Sequence, residues 1–290
     1  MALVIDFNQV AVANIMQQAN AARQIIQGEG QLRLMILDMI RKNRQLFKDV
    51  GQVVIAVDGK ASWRKAVFPH YKFRRAEDKA KLAPNVNWTE VYKTINKISD
   101  EIKNHLPYIV IKHDHAEGDD IIGEVVRWYH AERPMENIVI LSGDKDFKQL
   151  HFTSRVRQFS PTLKKFVVSQ GADFELRDII MTGDRLDGVP NILSPDHSFV
   201  SRVKQSKMTA GRKEFYHTCD PTQIEDTIIR RNWVRNEILV DLNKTPGSIK
   251  QSIREQLIEQ LEAPKKPSSF FPYLVEHRLT ELMPRAGEFV

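Results

Sequence analysis

Three short apolar runs in this chain stop at carboxylates. Residues 3–7 end at Asp6 and Phe7, residues 53–57 (VVIAV) end at Asp58, and residues 138–141 (IVIL) lead through Ser-Gly into Asp144 and Asp146. Runs that are apolar throughout, rather than alternating, predict strands covered on both faces. A fourth run spans 107–111, and helical spacing marks 31–47 and 119–129. Strands interleaved with helices predict an α/β fold on a central, mostly parallel sheet flanked by helices. In such sheets ligands bind beyond the carboxyl ends of the strands, where side chains remote in sequence meet.

Two further acidic groups belong to this pattern. HAEGDD carries Glu117, Asp119 and Asp120 into a helix, and GDRLDG carries Asp184 and Asp187. Each acid alone has an ordinary role: Asp119 or Asp120 as a helix N-cap, Asp58, Asp184 and Asp187 in turns. As a set they repel one another and resist burial unless a cation neutralises them. All-oxygen ligands suit Mg²⁺ or Mn²⁺. Two such ions would activate a water and stabilise the leaving oxygen of a phosphodiester. No glycine-rich phosphate loop and no evident Ser-His-Asp set competes with this reading. His113 and His115, next to Glu117, are read as capping a loop rather than binding zinc, and Trp128 and Tyr129 as packing in the core.

Between positions 60 and 81 lie Lys60, Arg64, Lys65, Lys72, Arg74, Arg75, Lys79 and Lys81, against only Glu77 and Asp78. Trp63, Phe68, Tyr71 and Phe73 are interleaved. Cations for phosphates and aromatics for bases make the composition of a single-strand channel. The segment follows Asp58 directly, so it is predicted to border the acids. The excess of cations gives the whole chain a net charge of +6 and a pI near 9.3, which favours an anionic partner.

The character changes after about residue 183. The remainder is polar and helical, with helices predicted over 222–235, 248–261 and 273–282 and a Pro-rich break at 263–269. We therefore divide the chain into an α/β core, 1–182, with a basic arch or loop at about 60–90, and a helical C-terminal portion, 183–290. The single cysteine, Cys219, permits neither an intrachain disulfide nor a Cys-rich zinc site and fits a reducing compartment. No secretory signal and no membrane span are expected, which points to a cytoplasmic protein.

The strings LVIDFNQ, VVIAVDGKASWRKAVFPHYKFRR, LPYIVIKHDHAEGDDIIG, ILSGDKDFKQL, RQFSPTLKKFV and GDRLDGVPNI occur in this order and cover most of the chain. The set resembles the flap endonuclease and 5′-3′ exonuclease family, phage members above all, and implies its PIN-like 5′-nuclease fold. By that resemblance Asp6, Asp58, Glu117, Asp119 and Asp144 surround a first metal. Asp146 and Asp187 serve a second, with Asp120 and Asp184 as outer-sphere helpers. Tyr71 falls at the arch aromatic, and Lys72 and Arg75 match the cations that grip the scissile phosphate. Arg64, Lys65, Arg74, Lys79 and Lys81 extend the nucleic-acid contact. The resemblance implies cleavage near 5′ ends or flaps of DNA and RNA–DNA, with removal of RNA primers in lagging-strand replication. It also implies products with a 5′-phosphate, a host cytoplasm if the chain is phage-encoded, and partners such as a single-strand binding protein and a sliding clamp. A monomer is expected.

After GDRLDGVPNI the sequence departs from the family. It lacks the Gly-x-Gly hairpin that holds K⁺, which puts that site in question, and Asp187-Gly188 replaces the commoner Asp-Asn. Duplex contact is assigned instead to Arg202, Lys204, Lys207, Arg212 and Lys213, which simple surface charge would equally explain. Two other readings stay open: a PIN-type endonuclease of single-stranded RNA, and a non-catalytic nucleic-acid-binding module on the same fold.

Overall fold

The computed structural model describes residues 1–22, 28–47, 49–82, 86–263 and 269–289, with side chains excepted at 18–22, 79, 80 and 82. Among these residues the apolar runs form strands β1 (Ala2–Asp6), β2 (Gln52–Val57), β3 (Ile109–Lys112) and β4 (Ile138–Leu141). Two more, β5 (Val156–Ser160) and β6 (Lys165–Phe166), complete a six-stranded sheet in the order β3-β2-β1-β4-β5-β6. Every pairing is parallel except β5 with β6. The chain winds outward from β1 to β3 and then restarts at β4 on the other side of β1. The strand order therefore reverses between β1 and β4, and a crevice opens there at their carboxyl ends.

Strand side chains alternate between two apolar layers. Leu3, Ile5, Val53, Ile55, Val139 and Leu141 pack under helices α1 (Phe7–Ala22), α2 (Glu29–Gln45) and α5 (Trp88–His105). Val4, Val54, Ala56, Ile111 and Ile140 face α6 (Gly118–Glu132). Between β2 and α5 lie two short helices, α3 (Arg64–Val67) and α4 (Arg75–Leu82), so the basic segment is helical at its base.

The chain beyond 183 does not pack as one unit. α7 (Ala172–Thr182), α8 (Ala210–Thr218) and α9 (Thr227–Val240) form a third apolar cluster with Phe68 and Tyr71 at the foot of the basic segment. α10 (Gly247–Glu262) returns to the sheet and lays Ile249, Ile253 and Leu257 on the layer shared with α6. α11 (Phe270–Glu276) closes the opposite layer. The expected boundary at 182/183 thus crosses packed structure, because both layers of the sheet borrow helices from the last third of the chain. The Pro-rich break falls mostly at 264–268, outside the described residues. The C-terminal stretch is docked: Phe289 is buried, and its carbonyl accepts from the Tyr108 hydroxyl at 2.7 Å.

The edge strand β3 is covered by side chains of α10. Gln260 accepts from Val110 N–H and donates to Val110 O, both at 3.0 Å, and Gln256 accepts from Lys112 N–H at 3.4 Å. Among the described residues no helix is long and apolar enough to cross a membrane.

Candidate metal and phosphate site

The crevice between β1 and β4 is where the acids gather. Asp6 ends β1, and its Oδ2 accepts from the Ser142 hydroxyl at 2.9 Å. The same Ser142 oxygen accepts from Asp144 N–H at 3.0 Å, and Asp144 Oδ1 accepts from Asp146 N–H at 2.9 Å. Gln158, buried in β5, donates to Ser142 O and Asp144 O at 2.9 and 2.6 Å and fixes the turn that carries both acids. Asp58 follows β2. Its Oδ1 accepts from Gly118 N–H at 2.7 Å, and its own N–H donates to Asn8 at 3.0 Å. Glu117 and Asp119 stand at the start of α6. Asp184 Oδ1 accepts from Leu186 and Asp187 N–H at 2.7 and 3.0 Å, shaping the turn that presents Asp187.

Sequence reasoning does not single out Asn8, Ser142 or Gln158. Ser142 lies beside the acidic string, which is a usable signal. Gln158 offers none, since its partners are backbone carbonyls 16 and 14 residues away.

The electrostatics are those of a crowded anionic pocket. Burial, then the charges of Asp58 and Asp144, pushes Asp6 up to about 7. Burial likewise raises Asp58. Burial and Asp144 raise Asp119 well above the usual carboxylate range, and burial with Asp144, Asp187 and Asp184 does the same to Asp146. Asp144 is raised by burial and by Asp187, although the Asp146 N–H opposes it. Side chains from β1, β2, α6, the β4 turn and the 184–187 turn therefore share one field.

Cations from the basic segment lean into this field. Lys72 pairs with Glu117 and lies 3.6 Å from Asp187, and Arg75 pairs with Asp187 at 2.5 Å. Burial works against the charge on Glu117, but Lys72 and Arg64 outweigh it and hold the carboxyl at about 2. Lys145 pairs with Asp184 at 2.7 Å and, against burial, lowers it. The foot of the segment is stitched to the 113–117 loop by Gly59 N–H to Ala116 O, Ala61 N–H to Asp114 O and Trp63 N–H to His115 O, at 2.8–3.0 Å. A Cβ at Gly59 would lie 2.0 Å from His113 O, so only glycine permits this approach. His113 Nδ1 accepts from His115 N–H within that loop at 3.2 Å, as a loop cap does.

Two expectations, those for Arg64 and Tyr71, need correction. Arg64 does not face nucleic acid: it is 2% exposed and spends its donors on Asp120, Glu117 and Leu239 O. Asp120, expected as an outer-sphere helper, is held among protein groups. Its two oxygens accept from Arg64, Trp63 Nε1, Thr245 Oγ1 and Glu117 N–H, which leaves it fully engaged inside the protein. Tyr71 does not offer its ring to a base. It is 3% exposed, and its hydroxyl lies within hydrogen-bond distance of Glu117 (2.9 Å) and Asp187 (3.0 Å).

The other cations are placed outside the pocket. Lys65, Lys81, Arg202, Lys204, Lys207 and Arg212 are exposed, and Arg74 is half-buried. Lys81 pairs with Glu77, and Lys213 pairs with Asp178, each at 2.5 Å. The side chain of Lys79 lies outside the described residues.

Among the described residues, no three His, Cys, Asp or Glu side chains stand close enough together to hold a metal ion as they are. Glu117 and Asp187 are taken up by Lys72, Arg75 and Tyr71. The residues nevertheless fit a divalent cation. The donor set is carboxylate oxygen, several acids are raised because burial and like charge outweigh the donors and cations beside them, and Asp146 Oδ1 is buried without a hydrogen-bond partner.

A mostly parallel sheet with an acid cluster at its switch point, roofed by a basic helical segment, describes a class of nuclease folds. The family described as 5′-3′ exonuclease, N-terminal resolvase-like domain matches residues 3–176, and the chain belongs to that family. It is similar to the ribonuclease H of Enterobacteria phage T4, with 27% identity covering 99% of this chain and 95% of that protein. Solved structures of the bacteriophage T5 flap endonuclease share the fold. One, with DNA and metal ions, has TM-score 0.63, 15% identity, and 90% and 99% of the two chains covered. Another, a T5 5′-exonuclease with zinc, has TM-score 0.59, 13% identity, and the same coverage.

Proposed function

We propose that this chain is a divalent-metal-dependent 5′-nuclease that hydrolyses phosphodiesters near 5′ ends and flaps of DNA and RNA–DNA, as in removing RNA primers during lagging-strand replication. One observation supports this above the others: Asp6, Asp58, Asp119, Asp144, Asp146 and Asp187, from five separate stretches of chain, share one electrostatic field beneath Lys72 and Arg75.

In this reading Asp6, Asp58, Glu117, Asp119 and Asp144 hold one Mg²⁺, and Asp146 and Asp187 a second, with Mn²⁺ able to substitute. Bound there, the ions supply Lewis-acid chemistry to the attacking water and the leaving oxygen. Asp184 keeps Asp187 in place through its turn. Lys72 and Arg75 exchange their carboxylate partners for the phosphate. Arg75 can hold two phosphate oxygens, while Lys72 acts as a point charge where negative charge develops. Lys65, Arg74, Lys79 and Lys81 guide the single strand. Arg202, Lys204, Lys207 and Arg212 meet the duplex, and Lys213 joins them if it releases Asp178. The protein acts as a monomer, with a single-strand binding protein and a sliding clamp as the partners its family suggests.

The deciding assay compares a 5′-flap duplex with single-stranded RNA, in Mg²⁺ and in EDTA. Cleavage of the flap in Mg²⁺ alone is expected. Preference for RNA without a 5′ end favours a PIN-type enzyme, and binding without cleavage favours a non-catalytic module.

A further inference from the structure

Arg64 is the largest fully buried side chain among the described residues, and it sits where three parts of the molecule meet. It belongs to the first turn of α3, at the foot of the basic segment. Its Nε donates to Leu239 O near the end of α9 at 2.7 Å. Nη1 and Nη2 each donate to Asp120 at 2.9 Å, and Nη1 also reaches Glu117 Oε2 at 3.1 Å. That same Glu117 oxygen lies 2.9 Å from the Tyr71 hydroxyl. One oxygen of Glu117 is thus held from within the protein, while Oε1 turns to Lys72 on the pocket side.

Glu117 is the N-cap of α6, where it takes part in a capping box with Asp120. Three further side chains hold its carboxylate: Arg64, Tyr71 and Lys72. Only Arg64 is also anchored away from the pocket, through Asp120 and Leu239 O. A planar guanidinium can serve these acceptors at once because its five N–H groups point in fixed directions; an ammonium cannot.

We propose that Arg64 is a positioning residue for the metal pocket: it clamps Glu117 by Oε2, so that Oε1 is presented to the cation, and it refers this geometry to the helical C-terminal portion through Leu239. The inference rests on the metal reading above.

The test measures Mn²⁺ affinity by calorimetry beside thermal melting. Arg64→Lys keeps the charge but loses the fork, and Mn²⁺ affinity should fall roughly tenfold or more, the usual effect of losing a partner that orients a ligand. Thr245→Val removes a different donor to the same Asp120 and leaves the partners of Glu117 intact. It should lower the melting temperature while Mn²⁺ affinity stays within about twofold. Equal Mn²⁺ affinity in wild type and Arg64→Lys, or an equal loss in both variants, would overturn the role of Arg64. If Arg64→Lys does not fold, the wild type still decides. Its Arg64 guanidinium NMR signals should move with the same midpoint as Mg²⁺ binding, and signals that stay fixed while the metal binds overturn the proposal. A wild type that binds no Mn²⁺ overturns the metal reading and this inference together.

Discussion

Lys72 and Asp187 are joined twice: Lys72 N–H donates to Asp187 O at 2.8 Å, and the ammonium lies 3.6 Å from the Asp187 carboxylate. The foot of the basic segment is thereby tied to the 184–189 turn. The tie is close enough that a Cβ on Gly188, which has φ +72°, would sit 2.9 Å from His70 O. The Lys72 side chain is thus carried on backbone fixed against this turn.

Lys72→Ala should lower turnover about 10²-fold, in line with the loss of one preorganised donor at a developing charge. The backbone bond to Asp187 survives, so substrate affinity should change little. Single-turnover cleavage of a 5′-flap duplex beside a binding titration separates the two. A loss confined to affinity would make Lys72 a positioning contact only.

Asp144→Asn and Asp146→Asn should each abolish Mg²⁺-dependent cleavage and leave DNA binding within a few-fold of wild type. Both acids are raised by burial and by like charge, so removing one charge should not lower the melting temperature in EDTA. Cleavage retained by both variants would remove the assignment; a collapse in melting temperature would mean that these acids hold the fold.

Arg202, Lys204 and Lys207 are exposed, and none of them forms an ion pair among the described residues. Replacing all three with alanine should weaken duplex binding and reduce the slope of log affinity against log salt by up to about 3, roughly one for each phosphate left without its cation. Turnover at saturating substrate should be kept. An unchanged slope would show that this stretch does not touch the backbone of DNA.

Much of the fold is legible in the sequence because burial on both faces demands uninterrupted apolar strands. β1, β2 and β4 satisfy that demand, and their ends carry the acids. β5 is hidden because Arg157 and Gln158 break its apolar run, although Gln158 is fully buried and positions the Asp144 turn. α5 goes unread although Val91, Ile95, Ile98 and Ile102 recur there at helical spacing. Arg64 misleads for a physical reason: a guanidinium in a cationic run looks the same whether it meets solvent or a carboxylate 56 residues away.

Glu101 gives a pH-dependent prediction away from the acids. It accepts two bonds from Arg33, each at 2.8 Å, and one from the Tyr273 hydroxyl at 2.7 Å, joining α2, α5 and α11. Burial opposes its charge, but Arg33 and Tyr273 prevail and depress it below the usual 4.5. A depressed folded value means stability that is complete above the unfolded value and lost as pH falls through the folded one. Glu101→Gln should cost roughly 2–4 kcal/mol at pH 7. The gap to wild type should shrink as pH drops from about 5 toward 3. Urea unfolding at several pH values checks this, and a gap that stays constant would exclude the charge as its source.

Gln256 and Gln260 give β3 the hydrogen-bonding partner that a seventh strand would otherwise supply. An open strand flank is a template on which further copies can stack into ribbons, and this one is filled by amides of the same molecule. These two glutamines guard colloidal behaviour rather than chemistry: replacing them with leucine would leave the acids untouched and turn the sheet's flank into a seed for self-association.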